Sequence, residues 1–495
     1  MTRLILGPFN RVEGDLEVQL EVADGRVLEA RVNAPMYRGF EGMLNGRDAM
    51  DALTIAPRIC GICSVSQSVA AARALADASG VEVPPNGVHA INLMLACENL
   101  ADHLAHFYLF FMPDFTRSIY SARRWHTEAQ RRFAPVVGGA SASGEHNRAA
   151  LAARARWLEL MGNLGGKWPH TGAVMPGGTS RAIEAAEKIR LMVRLREMRA
   201  FLEQTLYGSA LEEVAALDSL AALDAWSARA KDSDLALFLD ISSDVGLARL
   251  GAGPGRYLSY GAYAQSDGSH ALEPGVWDDG LEQRLALDPG QITEDMRHAW
   301  LSAGPSGEPL HPMAGITQPE PDKVGAYTWN KAPRLAGKVI ETGAIARQLV
   351  AGQPLIRAAC AKHGGSVYTR VLARLVELAR IVPLMEQWLV ALQPGEPFHQ
   401  VQVMPEQAQG IGLTEAARGA LGHWLRIERG RIAHYQIVAP TSWNFSPRDT
   451  EGTPGALEAA LVGAPLDDTT EGVGTSVAVQ HIVRSFDPCM VCTVH

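Results

Sequence analysis

The chain ends in Asp487-Pro488-Cys489-Met490-Val491-Cys492-Thr493-Val494-His495, which places a Cys-x-x-Cys pair and a histidine in one short segment. A second Cys-x-x-Cys pair lies more than four hundred residues earlier, in Arg58-Ile59-Cys60-Gly61-Ile62-Cys63. Two thiols at this spacing lie on one side of a helical turn or tight loop, so both sulfurs can reach one metal ion. The two pairs therefore predict a fold that brings the ends of the chain together around a metal.

The spacing leaves the identity of the metal open. Four thiolates can form a tetrahedral structural zinc site, although zinc ribbons usually keep their pairs about 15–20 residues apart. Soft thiolates also suit nickel and iron. The two remaining cysteines, Cys97 and Cys360, stand alone and are interpreted as buried apolar side chains.

The composition is that of a globular protein, with 495 residues, 47% of them hydrophobic and 20% charged. The net charge of −9 argues against nucleic acid or anionic membranes as partners. No run of about 18 apolar residues is present, so we expect no membrane-spanning helix, and the apolar start is too short for a signal peptide. Few cysteines without a dense disulfide pattern favour a reducing compartment, although a chain exported with a signal-bearing partner would look the same.

Two patterns mark the first part of the chain. Alternating apolar residues around an Asp-Gly pair predict a β-hairpin over residues 16–32. The alanine-rich run after Cys63 predicts a helix with Ser64 or Ser66 near its N-terminal cap. Because a helix N-terminus lowers the pKa of a nearby thiol, this position suits a metal-ligating cysteine.

Long helical patterns dominate the rest of the chain. The strongest covers residues 366–393, with an apolar stripe and a kink predicted at Pro383. Further predicted segments are helices at 88–112, 147–161 and 180–207, a loop at 134–146, an irregular region with short strands at 240–335 and a strand at 431–438.

These segments predict a mainly α fold with small β elements (α+β), built on a central bundle of long helices. We expect one domain over residues 1–495. Its helical core would cover about 47–210 and 340–393, and the metal-ligand segment would be 485–495.

Composition alone gives several charged or titratable residues an ordinary structural interpretation. Glu13 and Glu41 are typical of solvated surface carboxylates, and His103 and His106 of hydrogen-bonded core histidines. Asp102 is unusual, because it lies in a very apolar predicted helix and a buried carboxylate needs a partner.

Taken together, the motifs resemble the large subunit of nickel–iron hydrogenases. The resemblance covers nearly the whole chain, and the paired Cys-x-x-Cys motifs at its ends are highly specific. A related subunit of respiratory complex I shares the fold but generally lacks the four cysteines, which disfavours it. The matching segments are Arg11-Val12-Glu13-Gly14, Tyr37-Arg38-Gly39-Phe40-Glu41, Arg58-Ile59-Cys60-Gly61-Ile62-Cys63, Asp102-His103-Leu104-Ala105-His106-Phe107-Tyr108, Ala416-Ala417-Arg418-Gly419-Ala420-Leu421-Gly422-His423-Trp424, Pro440-Thr441-Ser442-Trp443-Asn444 and Ser485-Phe486-Asp487-Pro488-Cys489-Met490-Val491-Cys492.

The resemblance implies a nickel–iron centre whose iron carries one carbon monoxide and two cyanides. All four cysteines would hold the nickel, and Cys63 and Cys492 would also bridge to the iron. Cys60 and Cys489 would be terminal nickel ligands. Thiolates suit both metals, and shared sulfurs hold two metals close together.

The resemblance also implies roles for the polar residues. H2 would split heterolytically, and the proton would pass from the sulfur of Cys489 to Glu13, acting as general base. Arg418 would stand over the open metal position, oriented by the carboxylates of Asp102 and Asp487.

By the same resemblance, Thr441 and Arg418 would hydrogen-bond the cyanides. Glu41, the carbonyl oxygen of Ile437 and the imidazole of His495 would bind a magnesium ion. The family's large subunit carries no iron–sulfur cluster. Electrons would therefore leave through an iron–sulfur small subunit, in a heterodimer or a dimer of heterodimers.

The chain departs from the family pattern in ways that affect its predicted role. Gln67 stands where most members have His, Asp15 where many have His, and Ala417 where many have Pro. The chain stops at His495, without the further peptide that catalytic members lose to a protease, although a processed chain would end there too. Gln67 and the absent peptide resemble the regulatory branch, in which the heterodimer reports hydrogen to a histidine kinase and turns over slowly.

We therefore expect a cytoplasmic hydrogen sensor with low hydrogenase activity and H2 as substrate. One alternative is an energy-conserving uptake hydrogenase that feeds respiration. The other is a zinc-stapled structural protein, which lacks any carbon monoxide or cyanide infrared bands.

Overall fold

The computed structural model describes residues 2–135, 144–304, 306–466, 476–493 and 495. The chain is 46% helical and 19% strand, which confirms the predicted α+β class. Most of the loop predicted at 134–146 lies outside the described residues.

The α-helices lie mainly in the two segments predicted to form the core. They are α1 (Phe40–Leu44), α2 (Ala52–Ile55), α3 (Ser64–Ser79), α4 (Pro85–Ala105), α5 (His126–Phe133), α6 (Glu145–Trp157), α7 (Glu159–Gly165), α8 (Ala185–Phe201), α9 (Leu211–Ala215), α10 (Leu220–Arg229), α11 (Asp234–Val245), α12 (Ala344–Val350), α13 (Pro354–His363), α14 (Val367–Ala391), α15 (Pro440–Asn444), α16 (Ala456–Leu461) and α17 (Val477–Phe486).

The strands form several small sheets around the helices. They are β1 (Thr2–Leu6), β2 (Glu17–Ala23), β3 (Arg26–Asn33), β4 (Val174–Met175), β5 (Gly178–Thr179), β6 (Arg256–Ser259), β7 (Ala262–Ala264), β8 (His270–Leu272), β9 (Gly275–Asp278), β10 (Gln283–Leu285), β11 (Ile292–Asp295), β12 (Ala332–Leu335), β13 (Glu341–Thr342), β14 (Gln407–Ala416), β15 (Gly419–Glu428) and β16 (Arg431–Val438). The sheet orders are β1-β2-β3, β10-β9-β6-β13 and β14-β15-β16, with pairs β4-β5, β7-β8 and β11-β12.

The long helices α4 and α14 pack against each other at the centre of the core. Helix α14 begins with a capping box, in which Thr369 N–H donates to Ser366 Oγ and Ser366 N–H donates to Thr369 Oγ1. Pro383 lies inside this helix, as predicted. Within the described ranges, no helix is both long enough and apolar enough to cross a bilayer.

The predicted hairpin is present as β2 and β3, joined through Asp24 and Gly25, both with positive φ. Sequence reasoning missed β1, which pairs antiparallel with β2 and completes a three-stranded sheet.

A second sheet, β14-β15-β16, lies against α3. Only its last strand was predicted. Gly410 and Gly412 face the helix so closely that a Cβ on either would collide with the backbone of Ala74 or Ala70. The small residues that permit this approach also interrupt the alternating apolar pattern by which strands are recognised.

The start of α3 differs from the prediction in one respect. Cys63 itself is the N-cap residue, and neither Ser64 nor Ser66 caps the helix with its side chain. The buried carboxylate of Glu98 accepts from the N–H groups of Val65 and Ser66, each at 2.9 Å. A carboxylate from α4 thus satisfies the free N–H groups of the first turn and fixes the orientation of Cys63.

Candidate metal centre

The four cysteines of the two Cys-x-x-Cys pairs meet in the interior. Their sulfurs all lie within 4.8 Å of one another, and all four residues are buried. The individual Sγ–Sγ distances are 3.4 Å from Cys60 to Cys489, 3.2 Å from Cys63 to Cys492 and 3.0 Å from Cys489 to Cys492. The predicted meeting of the chain's two ends is therefore confirmed, and the four sulfurs offer a compact set of soft ligands.

Short helical turns hold these sulfurs in place. Cys60 follows a 3₁₀ turn at Ala56–Ile59, and Cys489 precedes a 3₁₀ turn at Met490–Cys492. Both cysteines of each pair can therefore point to one side.

The pKa values of Cys60 and Cys63 are shifted in opposite directions. Hydrogen bonds from Cys489, Cys492 and Cys63 lower the pKa of Cys60 well below its ordinary value. The pKa of Cys63 is instead raised by its interactions with Cys489, Cys492 and Cys60 and by burial. Within the thiol cluster, the neighbouring sulfurs therefore act in the opposite direction to the effect expected of a helix N-terminus.

Glu13 runs alongside the C-terminal ligand segment. Its N–H donates to Pro488 O at 3.3 Å, and its carbonyl accepts from Met490 N–H at 2.8 Å. Gly14 permits this approach, since it has φ +78° and a Cβ there would lie 2.9 Å from Val491 Cγ1. The Glu13 carboxyl is half-buried, and burial together with the charge of Cys60 raises its pKa. A carboxyl with a raised pKa beside a thiol is suited to proton transfer.

Arg418 is buried between two carboxylates. Its Nη2 lies 3.1 Å from Asp102 Oδ1 and 3.1 Å from Asp487 Oδ1, and its Nε donates to Asp487 O at 2.9 Å. Its Nη1 has no hydrogen-bond partner among the described residues. Burial opposes its charge, but the charges of Asp102, Asp487, Cys489 and Cys60 raise its pKa well above its ordinary value. The cation therefore interacts electrostatically with two of the thiols and keeps one donor group that has no partner among the described residues.

The two carboxyls beside Arg418 titrate differently. Burial raises the pKa of Asp102 well above its ordinary value. Burial also acts on Asp487, but Arg418, His106 and Arg374 together outweigh it and lower the pKa of Asp487 to about 2. The two carboxyls therefore respond in opposite directions to the environment that they share with Arg418. The partner needed by the carboxylate of the apolar helix α4 is Arg418.

Two further predicted residues lie beside the cysteines. Thr441 Oγ1 accepts from Cys489 N–H at 3.1 Å, so its hydroxyl hydrogen remains available for another acceptor. Gln67 follows Cys63 by one helical turn, and its backbone N–H donates to Cys63 O at 3.1 Å. The Gln67 amide nitrogen is buried and has no partner in the part of the chain that the structure describes.

The three residues predicted for magnesium also come together. Glu41 Oε1 accepts from Ile437 N–H at 2.8 Å, and His495 Nε2 lies 2.6 Å from Ile437 O. Sequence reasoning missed Lys331, whose buried ammonium lies 3.0 Å from both carboxylate oxygens of Glu41. Lys331 also contacts Glu294 and so binds two carboxylates at once.

Both donor sets can be tested against the group each would bind. Four converging buried sulfurs, with unpartnered N–H donors on Arg418 and Gln67, fit a dithiolate-bridged metal pair with small anionic ligands. The second set has the mixed oxygen and imidazole character allowed for magnesium. Neighbouring ligands of an octahedral magnesium ion lie about 3.0 Å apart, so His495 and Ile437 O would separate slightly to bind it.

Other residues around the site carried no recognisable signal in the sequence. His423 lies in one of the motifs that resemble the family, but the resemblance implied no role for it. Tyr435, Arg347 and Lys331 lie outside these motifs. Their hydrogen-bond partners lie from 12 to 356 residues away, so no local sequence pattern reveals these contacts.

Comparison with known proteins identifies relatives along the whole chain. The family described as Nickel-dependent hydrogenase matches residues 38–147 and 141–495. The large subunit of the periplasmic [NiFeSe] hydrogenase of Desulfomicrobium baculatum is 31% identical, over 100% of this chain and 95% of that one. The uptake hydrogenase large subunit of Rubrivivax gelatinosus is 26% identical, with the same coverage.

A solved structure shows the same fold. The reduced, active form of the Ni-Fe-Se hydrogenase from Desulfomicrobium baculatum superposes with a TM-score of 0.85 at 29% identity, covering 100% of both chains. The predicted architecture is thus confirmed by an experimental relative over its full length.

Proposed function

This chain belongs to the nickel-dependent hydrogenase family and is the large subunit of a nickel–iron hydrogenase; we propose that it acts as a hydrogen sensor. The observation that carries the enzymatic part is the meeting of four buried cysteine sulfurs, two of which, those of Cys60 and Cys489, interact electrostatically with the buried Arg418.

In this proposal, Cys60, Cys63, Cys489 and Cys492 would hold an Ni-Fe(CN)2(CO) centre. When bound, that centre supplies the heterolytic cleavage of H2.

The protein's own part is to accept and move the proton. The sulfur of Cys489 takes it first and passes it to the Glu13 carboxyl, whose backbone lies beside Cys489. The raised pKa of Glu13 brings its proton affinity closer to that of a metal-bound thiol, which favours transfer in both directions.

Arg418, Asp102 and Asp487 form the polar wall of the site. The two carboxyls hold the guanidinium in one orientation and leave Nη1 without a partner among the described residues. Nη1 and the Thr441 hydroxyl would donate hydrogen bonds to the cyanide ligands.

Glu41, Ile437 O and His495 would bind magnesium beside the C-terminal segment. Lys331 neutralises part of the charge of Glu41 there, so the ion and the ammonium share one carboxylate. An ion held by His495 would tie the chain end, and with it Cys492, to strand β16.

Gln67 supports the sensing role. An amide donor beside the thiolates does not titrate, whereas a histidine there can acquire a charge. In this role the chain works in the cytoplasm with an iron–sulfur small subunit that reports the redox state of the site to a histidine kinase. The similarity to uptake hydrogenase large subunits favours a second function, H2 oxidation that feeds respiration.

The proton-transfer role is tested with Glu13→Gln. The amide keeps the shape and loses the base, so we expect both metals to remain and H2/D2 exchange to fall at least about 100-fold. Glu21→Gln, in the half-buried glutamate of β2, is the control and should exchange like wild type. Unchanged exchange in Glu13→Gln with full metal content contradicts the role.

The sensing role is tested in a reconstituted system of heterodimer and kinase. We expect kinase autophosphorylation to differ between H2 and N2 atmospheres, and to lose this difference when Cys489→Ser removes the metals. Equal phosphorylation under both gases, with H2 uptake by respiring cells that depends on this chain, favours the uptake function instead.

A further inference from the structure

Gln67 is the end of a buried hydrogen-bonded chain of three side chains. Tyr435 Oη lies 2.7 Å from His423 Nδ1, and His423 Nε2 lies 2.8 Å from Gln67 Oε1. All three side chains are buried to within 1%. His423 and Tyr435 belong to the paired strands β15 and β16, so the chain runs from the sheet to helix α3, one turn beyond Cys63.

The direction of the chain follows from what each group can donate. The imidazole of His423 is completely buried, and a neutral imidazole has one donor and one acceptor nitrogen. When Tyr435 O–H donates to Nδ1, the Nε2–H of His423 donates to Gln67 Oε1 and both hydrogens are satisfied. In the reverse direction, the Tyr435 hydroxyl hydrogen has no other acceptor among the described residues.

The forward direction leaves the Gln67 amide nitrogen as the only part of the chain without a partner in the described ranges. A buried N–H group needs an acceptor, and the metal-ligating sulfurs begin at Cys63, one turn before Gln67 on α3. The reverse direction would instead turn the carbonyl oxygen of Gln67 toward this cluster, where it would be repelled by thiolate charge.

We propose that His423 and Tyr435 are positioning residues that lock the Gln67 amide so that its N–H group faces the metal-ligating thiolates. The proposal rests on the proposed nickel–iron site and adds to it a fixed donor whose direction is set from the sheet. A hydrogen bond to a ligating sulfur reduces the electron density that the sulfur gives to the metal. Through His423 and Tyr435, the strands that carry Ile437 O also control the electronic state of the cysteine ligands.

In this hydrogen-bonded chain, the side chain at position 67 must accept a hydrogen bond from His423 and donate one toward the thiolates. A glutamate keeps the shape and accepts from His423, but when ionised it offers no donor to the thiolates. A neutral histidine offers both an acceptor and a donor, so it can occupy the same place in the chain. Removing the Tyr435 hydroxyl leaves Gln67 in place but frees His423 to adopt either tautomer.

The experiment compares Tyr435→Phe and Gln67→Glu with wild type in the purified heterodimer. Tyr207→Phe is the matched control, because it removes another buried hydroxyl that donates to a carbonyl, Leu375 O, in a different part of the core. One readout is the positions of the carbon monoxide and cyanide infrared bands. The other is the histidine ¹⁵N spectrum, in which the His423 signals are identified by their loss in His423→Asn.

We expect the bands to shift in Gln67→Glu, to shift less or broaden in Tyr435→Phe and to stay in place in Tyr207→Phe. We also expect His423 to be a neutral imidazole with its proton on Nε2 in wild type and in Tyr207→Phe, and a mixture of tautomers in Tyr435→Phe. Bands at wild-type positions in Tyr435→Phe and Gln67→Glu, or a proton on Nδ1 of His423 in wild type, overturn the proposal. Absence of the bands from wild type with full metal content overturns the nickel–iron site itself, which separates the two failures.

Discussion

Arg347 and Arg418 are both fully buried beside two carboxylates, and they meet at the same backbone turn. Arg347 donates to Glu377 through Nε and Nη2, to Glu415 through Nη1, and to the carbonyls of Ala416 and Ala417 at 2.8 and 2.9 Å. Every N–H of its guanidinium has an acceptor. Arg347 thus holds the two residues that directly precede Arg418.

Arg418 uses its guanidinium differently. Its Nε and Nη2 bind Asp487 and Asp102, while Nη1 has no partner among the described residues. A buried arginine whose N–H groups all have acceptors stabilises the fold. A buried arginine with an unpaired N–H group lowers the stability of the fold, and such a group is typical of a functional site where the free donor binds another molecule or ion. The comparison assigns Arg347 to the construction of the turn and Arg418 to the chemistry beside it.

The largest expected effect tests whether Arg418 faces a metal site at all. In Cys60→Ser the hydroxyl is too hard a donor to replace the thiolate, so we expect nickel and the carbon monoxide band to be lost completely. Cys360→Ser changes another buried cysteine, far from the cluster, and should retain the full metal content. Nickel and the infrared bands surviving in Cys60→Ser would remove the metal site and with it the reason for the free Nη1.

The second effect concerns Arg418 directly. Lysine keeps the charge but cannot reproduce the planar fork held by Asp102 and Asp487. We expect Arg418→Lys to retain its metals and its thermal midpoint and to lose turnover by about 100- to 1000-fold. H2 oxidation per nickel is the measurement. Turnover within about threefold of wild type would place Arg418 in the same structural class as Arg347.

The third prediction makes the corresponding lysine substitution at Arg347. Arg347→Lys loses several charge-assisted hydrogen bonds in a fully buried site, so we expect the free energy of unfolding to fall by about 3 kcal/mol. Turnover per bound nickel should fall less than about tenfold, because Ala416 and Ala417 shift but Arg418 remains. Urea unfolding of both lysine variants tests this. A stability loss equal in the two variants would erase the distinction between the arginines.

Sequence reasoning anticipated the parts of the molecule that have local signatures. The cysteine spacing predicted the metal cluster, and hydrophobic periodicity predicted α14 to within two residues at either end. The Asp-Gly pair predicted the β2–β3 hairpin. Each of these features is encoded in a short window, where spacing and composition are enough.

What could not be predicted depends on contacts between distant segments. The Arg347 network joins α12, α14 and the β14–β15 turn, and nothing near Arg347 in the sequence marks it. Lys331 likewise reaches Glu41 across 290 residues. On composition alone, Glu13 and Glu41 were interpreted as solvated surface carboxylates, which was wrong, because Glu41 is buried and Glu13 is half-buried.

The smallest expected effect is a difference in pH dependence between Glu415 and Glu377, the two carboxylates that contact Arg347. Burial raises the pKa of Glu415 to about 7, only partly offset by Arg347. Burial acts on Glu377 as well, but Arg347 and His103 together outweigh it and lower the pKa of Glu377 far below its ordinary value. The stability contributed by protonated Glu415 is therefore present below its unfolded pKa and lost as pH rises through about 7. The contribution of ionised Glu377 is present above its unfolded pKa and lost as pH falls.

Glu415→Gln removes the first of these dependences, because the amide stays neutral at every pH. Between about pH 5 and pH 7, wild type should lose about 2 kcal/mol of stability relative to this variant. Glu377→Gln should not gain stability relative to wild type between these pH values, because Glu377 stays ionised throughout this range. It should be less stable than wild type at both pH values. Urea unfolding at the two pH values measures both trends. If Glu415→Gln and Glu377→Gln track each other with pH, Arg347 treats its two carboxylates alike, and its guanidinium is shared equally rather than committed to Glu377.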